Sequence, residues 1–156
     1  MAETGDPRLV DAMWRAIDLT RAYLAQDRAQ VEACLTGLDA DRLELVLAWL
    51  ILNHDELFDR LGEPFMAMRE IDAVAALAPL ETELAITTAV RRVATKETGL
   101  LRAVEGLAPL GRIHTIATCT VVMLLGAFGR ANALEQIDED AVEYERKGYP
   151  RPYTII

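Results

Sequence analysis

The sequence predicts an all-α protein, a single compact helical bundle of about eight helices. Three observations carry this. Apolar residues recur at helical spacing through most of the chain, and helix starts and stops punctuate them, from Asp6-Pro7 to Gly37, Gly62, Gly106, Gly129 and Gly148. No Asn-Gly or Asp-Gly pair joins two alternating runs, so the strongest hairpin signal is missing. Two stretches, "LELVLAWLIL" over 43–52 and "IHTIATCTVVMLLGAF" over 113–128, are apolar nearly all the way round rather than along one stripe. Such helices belong at the centre of a fold. At 10 and 16 residues both fall short of the roughly 20 that cross a bilayer.

Asp6 is a good N-cap, and Pro7 loses nothing at the first helical position. The first helix, over 7–25, turns Val10, Met13, Trp14, Ile17, Thr20 and Leu24 inward. Arg8, Asp11, Arg15 and Asp18 alternate in sign on its other face, with Asp11 and Arg15 spaced as an i,i+4 pair. Asp27 and Gln30 have capping-box spacing and open a short helix ending at Gly37. A core helix over 40–61 starts at Asp39 or Asp41 and stops at Gly62, with Glu56 and Arg60 as an ordinary ion pair. A fourth helix covers 65–77.

The second half follows the same cadence, with helices over 80–94, 96–105, 109–128 and 131–146. The β-branched cluster 113–122 is the one place a strand could intrude, but its flanks favour helix. The segments 15–61 and 84–131 superpose at a shift of 69 residues, matching Ile17 to Ile86 and Gly37 to Gly106. A duplicated four-helix unit would do this, and so would two helical halves with regular loops. Residues 1–148 make one domain whose core helices, 40–61 and 109–128, pack together centrally, and 149–156 form an extended apolar tail.

A chain of 156 residues with 52% hydrophobic and 26% charged content suits one globular domain. Cys34 and Cys119 both lie in apolar helical patterns, as reduced core residues of a cytoplasmic protein do. The N-terminal residues lack a secretory layout. Net charge is −9 and uneven: −8 over 1–79, +2 over 80–131 and −3 over 132–156. A nucleic-acid binder would need a concentrated basic face, so that class is set aside. Arg91, Arg92, Lys96, Arg102 and Arg112 gather in the middle, where they could hold an anion or meet the acidic face 135–145 within one molecule or across a dimer.

Motifs for chemistry are sparse. Neither histidine belongs to an HExxH, and CxxC pairs, P-loops and GxGxxG turns are absent. No catalytic residue, metal or cofactor is assigned. Cys119 inside "TIATCTVV" would be an inert buried thiol. Trp49, His54, His114, Thr118 and Cys119 are the candidates for a ligand pocket between the core helices. The competing reading is plain packing, with each threonine bonded to a carbonyl one turn back. Tyr149, Tyr153, Ile155 and Ile156 are the candidates for partner binding, because loose termini are usually polar and this one is not.

The sequence therefore points to a non-enzymatic, cytoplasmic protein-interaction or regulatory module that self-associates as a homodimer. The alternative is a small-molecule-binding bundle. Neither nucleic acid nor membrane is expected as a partner.

Overall fold

Asp6 opens the first helix, α1 (Pro7–Leu24), by accepting a hydrogen bond from the Arg8 amide at 2.8 Å. The computed structural model describes residues 6–62 and 66–154, and every element among them is helical. Asp27 caps α2 (Arg28–Ala33) through the Gln30 amide, and Asp39 caps α3 (Ala40–Leu61) through the Arg42 amide. Helix α3 ends at Gly62, whose φ of 68° is left-handed and suits a residue without a Cβ. The remaining helices are α4 (Met68–Ala75), α5 (Leu80–Ala94), α6 (Leu100–Ala103), α7 (Pro109–Phe128) and α8 (Arg130–Arg146).

Three expected helices are shorter than their patterns implied, among them α2, which stops at Ala33 and reaches Gly37 as turn. Helix α6 begins at Leu100 instead of 96, because Lys96 adopts a left-handed φ of 61° and turns the chain away from helix. Helix α4 begins at Met68, and Phe65, expected in it, lies outside the described residues. The cluster 113–122 is helical throughout.

The two core helices do pack on each other at the centre, and α3 against α7 is the most extensive helix pair. They are not equivalent. Helix α7 is surrounded by α1, α3, α4, α5 and α8, and from Gly111 to Met123 only Arg112 escapes burial. Helix α3 packs chiefly on α1 and α7, and among the described residues one of its sides stays open. There Ala48 is exposed, Leu45 and Trp49 are half-buried, and Leu52 is 63% exposed. Burial on every side, expected of both runs, holds for α7 only. At 20 residues and mean hydropathy 1.5, α7 is longer than its apolar run suggested, and long and apolar enough to cross a membrane by length and composition. Here it is the core helix, with 67% of its most apolar window buried by the other helices.

The halves echo each other in packing. Helix α1 packs on α2, α3 and α8, while α5 packs on α6, α7 and α4, so each fourth helix lies on the other half's first. Helices α1 and α5 end in the same turn. Gln26 and Lys96, both left-handed at φ 59° and 61°, donate to the carbonyls of Tyr23 and Val93. An ion pair repeats as well: Arg21 meets Asp138 of α8 at 2.7 Å, and Arg91 meets Asp72 of α4 at 2.6 Å.

Candidate functional site

The core holds one buried polar cluster. Tyr23 on α1 reaches His114 on α7, with the phenol oxygen 2.7 Å from Nδ1. With the proton on Nε2 the phenol donates to Nδ1, and with it on Nδ1 the ring donates to the phenol oxygen; both arrangements hold a neutral imidazole. Burial supports that state, holding His114 down to about 4 from its ordinary 6.5 and pushing the Tyr23 hydroxyl up. Thr115 and Thr120 donate to the carbonyls of Gly111 and Ile116, one turn back, as expected. Thr118 does not. Its hydroxyl lies near the Tyr23 oxygen, where it slightly favours the ionised phenol, yet it makes no hydrogen bond of proper geometry. Cys119 is fully buried and its thiol is pushed up to about 12, so a reactive thiolate does not form.

A second constellation comes from the tail, which lies across α1. Trp14 donates its indole N–H to the Tyr149 carbonyl at 2.8 Å. Arg151 gives two hydrogen bonds to Asp18, at 3.0 and 2.8 Å, and the Tyr153 hydroxyl donates to the same carboxylate at 2.7 Å. The Arg151 guanidinium covers the Trp14 ring at 4.5 Å, and Arg15 covers the Tyr153 ring at 3.8 Å. The sequence placed Asp18 on the charged face of the first helix, away from the inward apolar one. The structure corrects this: Asp18 is 7% exposed, because the tail roofs that face and supplies the cation a buried carboxylate needs. Asp11 and Arg15 form their expected pair only loosely, at 3.6 Å.

The predicted ligand residues do not converge. His114 and Thr118 meet Tyr23 in the core. His54, bonded to Asp55 at 3.0 Å and stacked on Phe58, opens onto a groove of about 620 Å³ between α3 and the α5–α6 corner. Trp49 sits on the open side of α3, and neither it nor Cys119 lines that groove. A larger groove, about 690 Å³, does run between the two core helices. Its lining is different: Leu57, Leu124, Phe128 and Ile137 give an apolar floor, with Glu56, Arg60 and Asp140 at the edge. Sequence reasoning looked for a pocket between these two helices but missed this lining, because its other walls come from α1 and α8, which no local pattern places beside α3 and α7. Glu56 and Arg60 both line it, and the pair expected between them is not among the ion pairs of the described residues.

Of the predicted partner residues, Tyr149 and Tyr153 are half-buried against their own chain, and Ile155 and Ile156 lie outside the described residues. Within the molecule the acidic helix meets Arg21 of α1, not the basic residues of the second half. Among the described residues no group of three His, Cys, Asp or Glu side chains could hold a metal ion. Neither a family model, nor a curated protein, nor a solved structure matches this chain.

Proposed function

We propose that this protein is a cytoplasmic, non-enzymatic interaction module that pairs with a second copy of itself through the open side of α3. The observation that carries the reading is the stripe Leu45, Ala48, Trp49 and Leu52. It is apolar and lies in the middle of a long helix, with Leu45 and Trp49 half-buried and Ala48 and Leu52 exposed among the described residues. Closing water off Leu52 alone is worth about 1–2 kcal/mol in each copy. An antiparallel crossing about Ala48 and Trp49 sets Leu45 against the partner's Leu52, with the small Ala48 leaving room for the partner's Trp49. The same crossing brings Arg42 beside the partner's Glu56. Two buried, free cysteines suit a reducing compartment.

Light scattering on a sizing column tests the reading. A dimer mass is expected at about 100 μM, with Leu52→Glu running as a monomer of unchanged helicity. A monomeric mass for the wild-type chain throughout that range overturns it. The second reading, a small-molecule-binding bundle, draws on the groove between α3 and α7, whose volume suits a ligand. It predicts thermal stabilisation by some metabolite in a screen.

A further inference from the structure

Five basic side chains between 91 and 112 stand out in an acidic protein, and three of them are engaged. Arg91 is paired with Asp72 at 2.6 Å and Arg92 with Glu97 at 3.1 Å. Arg112 donates to the carbonyls of Leu107 and Glu105, at 2.9 and 3.1 Å. Lys96 and Arg102 have no ion-pair or hydrogen-bond partner for their side chains among the described residues. Both line the groove of about 620 Å³ on which His54 opens. Its other walls are mostly apolar: Phe58, Met66, Val93, Leu100 and Leu101. Among the described residues the one carboxylate lining it, Asp55, is turned to His54. Lys96 is also fixed in position, because its left-handed turn is held by backbone bonds from Thr95, Lys96 and Glu97 to Arg91, Val93 and Arg92. Gln26 fills the matching turn after α1 and carries no charge.

We propose that this groove binds an amphipathic carboxylate, a medium-length alkyl chain ending in a carboxylate group. The chain lies along Phe58, Met66, Val93 and Leu100, and the carboxylate is held by Lys96 and Arg102. Two unpaired cations at the edge of an apolar trough complement that ligand in both charge and surface. The site is separate from the open side of α3, so it stands or falls independently of the proposed dimer.

Decanoate is a suitable probe, followed by calorimetry and by amide chemical shifts. Saturable binding is expected at or below about 1 mM, with shifts confined to residues 54–58, Met66 and residues 93–102. The double variant Lys96→Gln, Arg102→Gln should keep the wild-type melting temperature, because neither side chain has a partner among the described residues. It should bind decanoate about tenfold more weakly or worse. Decyltrimethylammonium, with the charge reversed, should not bind there, and Leu52→Glu should bind decanoate like the wild type. Decanoate binding unchanged in the double variant, shifts centred on the α3–α7 groove, or no saturable binding at all would overturn the proposal.

Discussion

Arg151 grips Asp18 through both of its carboxylate oxygens, 133 residues away in sequence. The pair closes the tail over α1 and makes a buried acid tolerable. Removing the arginine leaves that acid either unpaired or exposed by release of the tail.

The first prediction concerns this clasp. Arg151→Ala should cost about 2 kcal/mol, below the range for a fully buried pair because the arginine is partly solvated. It should also change the emission of Trp14, which loses its covering guanidinium and, if the tail lifts, its bond to Tyr149. Fluorescence and denaturant melts in a Trp49→Phe background isolate that signal. Unchanged stability and emission would mean that the tail holds without the pair.

His114 gives a pH dependence. Its value is near 4 in the folded protein and 6.5 when unconstrained, so the unfolded chain takes up the proton first as pH falls. The stability from keeping it neutral is complete above 6.5 and is lost between 6.5 and 4, about 3 kcal/mol in all. Urea melts of the wild type and His114→Gln should converge across that window by roughly this amount. Parallel curves would show that His114 is charged in the fold.

Thr118 should be better replaced than kept. Its hydroxyl is buried without a bond of good geometry, so Thr118→Val removes a desolvated polar group and keeps the shape. The variant should be neutral or up to about 1 kcal/mol more stable in a thermal melt. A loss of more than 1 kcal/mol would mean that the hydroxyl does bond Tyr23.

Gln26 holds a left-handed backbone that glycine adopts without strain. Gln26→Gly should raise stability by about 0.5–1 kcal/mol by denaturant melt. A decrease would show that the glutamine side chain contributes more than its backbone costs.

The helical class and most helix boundaries were legible in the sequence, because they are set within a few residues. Asp6, Asp27 and Asp39 cap by bonding amides two or three positions on, and Gly62 stops α3 by its own backbone freedom. The misses share a cause. Lys96 delays α6 by a backbone conformation that no side-chain pattern announces. The ligand candidates were chosen by residue type along two helices, whereas the grooves are shaped by which other helices stand alongside.

By itself, then, the sequence determined an eight-helix bundle with two long apolar helices in the middle, because hydrophobic period and caps are local properties. Only the tertiary structure decided that α7, and not α3, is enclosed on all sides, since enclosure depends on how many helices surround each. It alone folded the tail back so that Arg151 and Tyr153 meet Asp18, and brought Lys96 and Arg102 together at one apolar groove. Such meetings join residues far apart in the chain, where periodicity carries no information.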